Sequence, residues 1–391
     1  MSEGIAGERL NRNGQARIGF VLEQALGHVT YGLNIERYIA ERHDIEPVWM
    51  RVAFRPPTRV SRLPVVRSNW TLRASLEARR LLNANIASLD AVFLHTQTAS
   101  VFATAAMERI PTVLSLDATP LNFDEVGTAY DHGRSPRAIE RFKQARYRLL
   151  FSKAVAFTTW SQWAKDSLVR DYGVDGSLVR VLHPGADLAL FGFGKRRRPI
   201  PDSRPLRLLF VGGDLERKGG KMLIDLVRNE LHGRCELHLV TNATVEPEEG
   251  VIVHRGVSPN SPELLALYAS ADLFVLPTRA ECLAVVLGEA MAAGLPIITT
   301  AVGGHSEAVR SGENGYLLPS PNRAELLGRI EHFLENPLSL VEMGMRARAI
   351  AEERFDSRKN IHAIADMLVE AAARKHRATA EPRLMTREET A

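Results

Sequence analysis

Residues 272–296 read DLFVLPTRAECLAVVLGEAMAAGLP, and this stretch decides how the second half of the chain folds. Its opening apolar run predicts a buried strand that ends at Pro277, and the apolar residues after it predict a helix beginning near Leu283. The loop between them carries Glu281, and Glu289 stands inside the helix. The first turn of a helix leaves main-chain N–H groups unpaired and carries the positive end of the helix dipole. This junction therefore predicts a phosphate-binding site.

The two glutamates of this stretch admit more than one interpretation. Glu289 is surrounded by apolar residues, so its carboxylate needs a buried partner. The ribose hydroxyl groups of a nucleotide would serve, and so would an arginine or the main chain of the protein in a purely structural role. Glu281 and Glu289 could also form the acid–base pair of a glycosidase. Their position around a phosphate-type helix start argues against that pair.

Short apolar segments alternate with amphipathic segments of helical length on both sides of this stretch. Strands are predicted at 17–22, 45–52, 91–94, 111–115, 154–158, 178–182, 206–211, 236–240, 251–254, 272–276, 296–299 and 315–318. Such alternation is typical of βαβ units. The predicted fold class is α/β, with two Rossmann-like doubly wound domains that face each other across a cleft.

The boundary between the domains is predicted from composition. Residues 192–205 are rich in Gly, Pro and Arg, which is the composition of a linker. The predicted division is an N-terminal domain, a second domain, a helix that returns toward the first domain, and a flexible tail. These parts are assigned to residues 1–195, 206–354, 355–375 and 376–391.

Length and composition exclude several classes of protein. A chain of 391 residues exceeds one ordinary hydrophobic core, and no apolar run approaches the ~18 residues that span a bilayer. The polar N-terminus shows no secretory signal. The two cysteines, Cys235 and Cys282, are too few for a disulfide framework or a structural zinc site. We therefore expect a cytoplasmic protein.

The charge is divided unequally between the two halves. Residues 1–198 carry a formal charge of +9 and residues 199–391 carry −5, which predicts that the two domains face different partners. Part of the positive charge lies in a predicted loop over residues 51–70, in Arg51, Arg55, Arg59, Arg62 and Arg67. An anionic membrane or acceptor would suit this half, and a solvated surface is the alternative. A nucleic acid is not expected, because no recognition motif occurs.

Several common motifs are absent from the sequence. No G-x-G-x-x-G follows a predicted strand, and neither G-x-x-x-x-G-K-[S/T] nor G-x-S-x-G occurs. Their absence disfavours a nicotinamide enzyme, a P-loop nucleotidase and the usual serine hydrolase. No Asp-x-Asp occurs either, so neither a metal-bound diphosphate nor a metal is expected.

A glycine-rich turn, FVGGDLERKGG at residues 210–220, follows the first strand of the second domain. Gly212 and Gly213 allow close approach of the backbone to a ligand. Arg217 and Lys218 could neutralise a diphosphate there without a metal. A solvated turn is the structural alternative.

Two further glycine turns stand at the start of predicted helices. Gly27-His28 could contact a phosphate or an acceptor hydroxyl group, although Thr30 in the same segment could be a plain N-cap. Gly303-Gly304 follows another strand, and a tight turn explains this pair nearly as well.

Together these motifs resemble the retaining nucleotide-sugar glycosyltransferases of family 4 (glycosyl transferases group 1), which have the GT-B fold. The family signature E-x7-E matches Glu281–Glu289, A-x-A-x-G-x-P matches residues 290–296, and V-G-G-x-x-E matches residues 302–307. A basic residue before glycine matches Lys218, and P-G-x-D-x-x-x-F matches residues 184–191. The resemblance spans residues 17–375 in order.

The resemblance implies roles for these residues on the donor side. Glu281 would hold hydroxyl groups of the transferred sugar, and Glu289 would hold the ribose. The diphosphate would meet the side chains of Arg217 and Lys218. It would also meet the main-chain amides near Leu283 and Ala284. The remaining residues of the implied donor site are Gly27, Gly212, Gly213 and Cys282.

Three departures from the family pattern bear on the site. Cys282 and Ala284 stand where the family usually has glycine, so a differently shaped sugar pocket is expected. Gly213 stands where an arginine often occurs, and Arg217 is expected to supply that charge. Many members carry a histidine after the fourth strand, where this chain has Asp117. His28 and Asp117 are the residues expected to orient the acceptor hydroxyl group.

The implied activity is retaining transfer of a hexose from a UDP- or GDP-linked sugar to a glycan, lipid-linked or small-molecule acceptor. No metal and no cofactor are expected, and peripheral contact of the first domain with the inner face of a membrane is expected. Two alternatives stay open. They are a catalytically silent sugar-nucleotide-binding protein and a sugar-nucleotide epimerase on the same fold.

Overall fold

Each half of the chain forms one six-stranded sheet in which every strand pair is parallel. The structure is a computed structural model that describes residues 14–25, 27–53, 69–127, 137–192 and 204–380. The first sheet contains β1 (Ala16–Gln24), β2 (Ile45–Ala53), β3 (Ala91–His95), β4 (Thr112–Leu116), β5 (Ala156–Thr159) and β6 (Val179–Val181). The second contains β7 (Leu206–Val211), β8 (Cys235–Val240), β9 (Val251–His254), β10 (Leu273–Leu276), β11 (Ile297–Thr300) and β12 (Gly315–Leu318). All twelve predicted strands are present.

The order of the strands creates one switch point in each sheet. The first sheet has the order β2-β1-β3-β4-β5-β6, and the second has the order β12-β11-β10-β7-β8-β9. The direction of winding reverses between β1 and β3 in the first sheet and between β7 and β10 in the second. Ligands of such sheets bind at the carboxyl ends of the strands beside the switch point.

Helices cover both faces of the sheets, which is why every residue of β3 and β4 is buried. The first half contains α1 (His28–Ile39), α2 (Trp70–Asn85), α3 (Gln97–Ser100), α4 (Thr104–Met107), α5 (Pro120–Val126), α6 (Arg137–Phe151) and α7 (Gln162–Tyr172). The second half contains α8 (Gly220–Asn229), α9 (Pro262–Ser270), α10 (Val285–Ala292), α11 (His305–Ala308), α12 (Arg323–Glu335), α13 (Pro337–Arg354) and α14 (Ser357–Ala380).

The last helix, α14, returns to the first domain as predicted. It packs against α1, β3 and β4. Arg42 of the first domain pairs with Asp366 at 2.6 Å, and Lys375 donates a hydrogen bond to the carbonyl oxygen of Leu89 at 2.8 Å. The helix ends at Ala380, so the prediction that a tail begins at His376 is wrong for these five residues. Residues 381–391 of the predicted tail lie outside the described residues.

Two helix starts differ from the prediction. Gly27 is the N-cap residue of α1 and Thr30 lies inside its first turn, so Thr30 is not the N-cap. The helix predicted from Leu283 begins at Val285, because Ala284 still has an extended backbone with ψ of 120°.

Arg51, which the predicted strand 45–52 and the predicted loop 51–70 both included, lies in β2, so the predicted loop began too early. Its guanidinium is 2.7 Å from the carboxylate of Glu36 on α1. The other four arginines of the predicted loop, and residues 193–203 of the predicted linker, lie outside the described residues. In the part of the chain that the structure describes, no helix is long and apolar enough to cross a membrane.

Candidate active site

A cluster of three charged side chains occupies the switch point of the second sheet. Arg217 and Lys218 follow β7, and Glu281 follows β10, its neighbour in the sheet. Nζ of Lys218 lies 2.7 Å and Nη1 of Arg217 lies 2.9 Å from the same oxygen, Oε1 of Glu281. Only 16%, 7% and 13% of the Lys218, Arg217 and Glu281 side chains is exposed, so bulk water screens these charges weakly. The sequence motifs thus converge on one ion cluster.

The two cations determine the protonation state of Glu281. Burial by itself would raise the pKa of this carboxyl group, but the charges of Lys218 and Arg217 outweigh burial and lower the pKa to about 2. Glu281 is therefore a carboxylate at neutral pH and can only accept hydrogen bonds. Arg217 also contacts the more exposed Asp214, with Nε 3.3 Å from Oδ2.

Close packing explains why two positions of the loop after β7 are glycine. A Cβ atom on Gly212 would lie 2.5 Å from Cδ of Lys218. Gly219 has φ of +78°, and a Cβ atom there would lie 2.3 Å from the carbonyl oxygen of Pro277, beyond β10. Larger residues would displace Lys218 or separate the two loops. No described atom lies within 4 Å of where a Cβ atom on Gly213 would stand, so the loop opens to free space at that residue.

The segment Cys282–Ala284 joins the ion cluster to α10, and all three of its residues are buried. Ala284 is the N-cap residue and has no polar side chain, so no side chain caps α10. The main-chain N–H groups of the first turn are therefore donors that an anion beside Glu281 can engage.

Glu289 is buried inside α10 and hydrogen bonds to a tyrosine. The hydroxyl group of Tyr268 on α9 donates to Oε2 of Glu289 at 2.7 Å. Burial raises the pKa of the Glu289 carboxyl group, while Tyr268 and the charge of Lys218 act in the opposite direction. The buried partner that the sequence demanded is thus a tyrosine rather than an arginine. The contact of Glu289 with a ribose stays a prediction.

On the first domain, two histidines meet at the switch point between β1 and β3. His28 is the first residue of α1 and His95 is the last residue of β3. Nδ1 of His28 lies 2.9 Å from Nε2 of His95. Nε2 of His28 lies 3.8 Å from Oδ2 of Asp117, the residue directly after β4. The two residues predicted to orient an acceptor are therefore neighbours.

Contacts across the cleft place the region of His28 and Asp117 beside the start of α10. Burial, together with the charge of the nearby Asp117 carboxylate, raises the pKa of the Cys282 thiol. A Cβ atom on Gly27 would lie 3.4 Å from Cγ2 of Val285. Gly27 is therefore part of the contact between the two domains, next to the predicted donor site.

Glu307 forms a second contact between the domains. Its two carboxylate oxygens accept hydrogen bonds from the main-chain N–H groups of Gln162 and Trp163 at 2.8 and 3.1 Å, in the first turn of α7. A Cβ atom on Gly304 would lie 2.7 Å from Cβ of Ser161, the N-cap residue of α7. This glycine pair therefore supports an interdomain contact as well as a tight turn.

Sequence reasoning missed three buried polar side chains of the site, which are His95, Tyr268 and His305. His95 ends a buried strand at the carboxyl edge of the sheet, and that position could have drawn attention to it. His305 follows Gly304, its Nδ1 lies 3.1 Å from Oγ1 of Thr299, and burial lowers its pKa to about 4. Nothing in the local sequence connects Tyr268 with Glu289. Among the described residues, no group of three or more His, Cys, Asp or Glu side chains is placed to hold a metal ion.

The two halves of the chain match two family models. Residues 27–190 match the model described as Glycosyltransferase Family 4, and residues 205–336 match the model described as Glycosyl transferases group 1. The two parallel sheets and the cleft between them are those of the GT-B fold. The chain belongs to the family 4 (group 1) glycosyltransferases.

Individual proteins match this chain either over only part of its length or at low sequence identity. The D-inositol 3-phosphate glycosyltransferase of Pseudarthrobacter chlorophenolicus is 32% identical over 203 residues, 47% of this chain and 48% of that protein. The chain spans about half the length of the curated relatives it matches. A sucrose-phosphate synthase from Thermosynechococcus elongatus superposes with a TM-score of 0.72 at 16% identity, over 92% of this chain and 100% of that one. HepE from Anabaena, in complex with UDP and glucose, has a TM-score of 0.66 at 18% identity, over 91% and 100% of the two chains. Both structures share the fold of this chain.

Proposed function

We propose that this chain transfers a hexose from a UDP- or GDP-linked sugar to an acceptor hydroxyl group, with retention at the anomeric carbon. The observation that carries the proposal is the buried ion cluster of Arg217, Lys218 and Glu281. It lies at a switch point, beside the uncapped start of α10 and across the cleft from His28 and Asp117.

The two ends of the donor would bind different members of this cluster. Its diphosphate would take the cations Lys218 and Arg217 and the main-chain N–H groups after Ala284. Its sugar hydroxyl groups would donate to the carboxylate of Glu281, which is ionised at neutral pH. Glu289 would accept from the ribose. The complex of HepE with UDP and glucose supports a donor of this class.

The chemical step would cleave the bond between the anomeric carbon and the diphosphate oxygen. The departing diphosphate gains negative charge in an oxocarbenium-like transition state, and fixed cations stabilise that charge more than they stabilise the ground state. The acceptor oxygen would attack from the face that the diphosphate leaves, and the leaving oxygen would take its proton. This route needs no protein nucleophile, and retention is its consequence.

A metal is unnecessary in this proposal, because Arg217 and Lys218 supply positive charge where the diphosphate departs. Treatment with a chelator should therefore leave turnover unchanged. A loss of turnover that Mg²⁺ or Mn²⁺ restores would overturn this part of the proposal.

The acceptor would be a glycan, a lipid-linked sugar or a small polyol, and the first domain would contact an anionic membrane at the inner face. The +9 charge of residues 1–198 supports the membrane contact. Co-sedimentation with anionic vesicles should fall as salt rises. A protein that stays in the supernatant at low salt would indicate a soluble acceptor.

The decisive experiment separates transfer from its alternatives. Donor binding is first located by thermal shift, because a ligand at 100 times its Kd adds about 2.7 kcal/mol to the free energy of unfolding. The donor that binds is then incubated with the protein alone and with a panel of acceptors. Product that appears only with an acceptor supports the transferase. Conversion of the donor alone indicates an epimerase, and binding without turnover indicates a sugar-nucleotide-binding protein.

A further inference from the structure

We infer that helix α6 is the surface by which the first domain binds an anionic lipid membrane, with Phe142 and its apolar neighbours inserted among the lipid headgroups. The binding itself is independent of any reaction. The consequence for the acceptor, namely that it is a lipid-linked sugar held in that membrane, rests on the proposed function.

An apolar stripe runs along the exposed face of α6. Its members are Ala138, Phe142, Ala145 and Leu149, all of them exposed. Spacings of four, three and four residues place them on one line of a helix. Phe142 is 73% exposed and Leu149 is 48% exposed, as is Ile139 beside Phe142. Single exposed apolar side chains are ordinary, whereas a line of them on one helix indicates a surface that binds an apolar partner.

The opposite face of α6 anchors the helix to the first domain. Leu150 and Phe151 are buried in the hydrophobic core that also contains Ala78 of α2 and Leu168 of α7. The ring of Phe151 packs edge-on against Phe157 of β5, with the centroids 6.1 Å apart. The helix thus already has a buried face, and the stripe is a second apolar face that points away from the core.

Cations border the stripe on both sides. Arg141 and Arg148 are seven residues apart and exposed along one border, and Arg146 lies along the other. Over residues 137–151 the chain has five basic residues and one acidic residue. The acidic residue is Glu140, and its carboxylate is paired with Nζ of Lys143 at 3.0 Å. The exposed face of α6 is therefore apolar along its middle and positively charged along its edges.

This combination fits an anionic bilayer better than a second copy of the chain. On a bilayer the stripe is buried at the boundary between headgroups and acyl chains, and the arginines reach lipid phosphate groups in the same plane. The negative surface potential of the lipids adds to that attraction. Because both borders of the stripe are cationic, a dimer through it would set cations of the two copies against each other, and like charges at an interface repel.

The stripe lies toward the edge of the first domain that carries the acceptor residues. A helix that precedes a parallel strand runs antiparallel to it, so the first half of α6 lies toward the carboxyl edge of the sheet. In agreement, the guanidinium of Arg146 donates to the carbonyl oxygen of Val101 and, at 3.1 Å, to Oγ1 of Thr104, in the segment after β3. Phe142 is one turn earlier in α6, and Asp117 follows β4 at this same edge. A sugar carried by a lipid of the bound membrane would therefore approach the cleft from the acceptor side.

Co-sedimentation of the full chain with vesicles of equal parts phosphatidylcholine and phosphatidylglycerol tests the stripe. At low salt, we expect Phe142→Ser combined with Leu149→Ser to lower the partition coefficient by about 10- to 100-fold, the effect of exposing buried side chains of this size. Leu338→Ser is the control, because Leu338 is 65% exposed on α13 of the second domain. Equal binding of the double variant and the control would overturn the inference.

The cationic border is tested on the same vesicles. Arg141→Gln should lower binding by about 5-fold, the contribution of one arginine near an anionic surface, and should leave binding to pure phosphatidylcholine unchanged. Arg310→Gln is the control, since Arg310 is 50% exposed in the second domain. A loss in Arg310→Gln as large as in Arg141→Gln would show that only net charge matters, which would overturn the role of α6.

A fluorophore reports the contact directly. Cys235 and Cys282 are both buried, so Phe142→Cys provides an exposed thiol for a polarity-sensitive dye. Its emission should shift to the blue when the vesicles are added, whereas a dye attached after Leu338→Cys should show no shift. The absence of a shift at position 142 would overturn the inference, whatever the serine variants do.

The remaining outcomes separate this inference from a dimer and from the proposed function. Light scattering without vesicles that shows a dimer, which Phe142→Ser dissociates, would overturn the membrane surface and assign the stripe to a second copy. Vesicle binding through α6 without transfer to any acceptor overturns the transferase and leaves the membrane surface. Transfer by a protein that stays in the supernatant at low salt overturns the membrane surface and leaves the transferase.

Discussion

Nζ of Lys218 lies 2.7 Å from Oε1 of Glu281, and this contact joins the loops after β7 and β10, two neighbouring strands of the second sheet. Arg217 reaches the same oxygen at 2.9 Å. Without a donor, the carboxylate thus holds both cations in place. The cations are already oriented before a diphosphate arrives, which is the property that makes fixed charges effective in a transition state.

Replacing Lys218 tests the contribution of this cluster to turnover. We expect Lys218→Ala to lower kcat by about 10²- to 10³-fold, because a fixed charge at the departing diphosphate is lost. Arg217 still pairs with Glu281, so the fold should survive. Lys221→Ala is the control, since Lys221 is exposed and pairs with Glu216 at 2.9 Å outside the cluster. Equal turnover in Lys218→Ala and Lys221→Ala would contradict the assignment.

The hydrogen bond between Tyr268 and Glu289 allows a structural role to be separated from a binding role. Glu289→Ala should weaken nucleotide binding, measured by calorimetric titration, more than it lowers the Tm. Tyr268→Phe leaves the carboxylate in place but removes its buried donor, and it should cost about 1–3 kcal/mol of unfolding free energy. If Glu289→Ala loses stability and keeps its nucleotide affinity, then the carboxylate is structural.

The pH dependence of stability has a predictable sign at His183. Nδ1 of this residue donates to the carbonyl oxygen of Trp160 at 2.6 Å, and Nε2 faces Nη2 of Arg354 at 2.9 Å. Burial and the charge of Arg354 lower the pKa of His183 to about 4, from 6.5 in the unfolded chain. Between these values the unfolded chain binds a proton that the folded chain does not. Stability therefore falls as the pH falls from 6.5 to 4, by about 3 kcal/mol from this group.

Urea unfolding at pH 7 and pH 4 measures this effect. His183→Gln should lose less stability than the unaltered protein over this interval. His305 titrates in the same interval and is present in both proteins, so the difference isolates His183. His232→Gln is the control, because His232 is 55% exposed at the surface. A loss in His183→Gln as large as in the unaltered protein would contradict the prediction.

The strands and the charged loops of the second domain were predictable from local patterns. Strands β7 and β10 are short, apolar and buried, and Lys218 and Glu281 each lie a few residues after one of them. Neighbouring parallel strands bring the loops at their carboxyl ends to one edge of the sheet. Helices α3, α4 and α5 were not predicted. They have four, four and seven residues, too few for a helical periodicity to appear.

The partners of the site residues could not be predicted from local patterns. Tyr268 and Glu289 are 21 residues apart, and His28 and His95 are 67 residues apart. Such pairs form because two separate elements pack side by side. A hydrophobic pattern predicts which face of a helix is buried. It does not specify which polar atom of another element that face will contact.

The last prediction concerns Glu307, whose carboxylate holds the two domains together. It accepts from the first two N–H groups of α7, where the positive end of that helix dipole favours a negative charge. We expect Glu307→Ala to lower the free energy of unfolding by about 0.5–2 kcal/mol, the usual cost of a lost cap. The domains should also separate, which would raise the radius of gyration in X-ray scattering and raise the KM of the acceptor. Glu313→Ala is the control, since Glu313 pairs with Arg310 at 3.4 Å on the surface. A Glu307→Ala protein with the radius of gyration and the acceptor KM of the control would show that other contacts suffice to close the cleft.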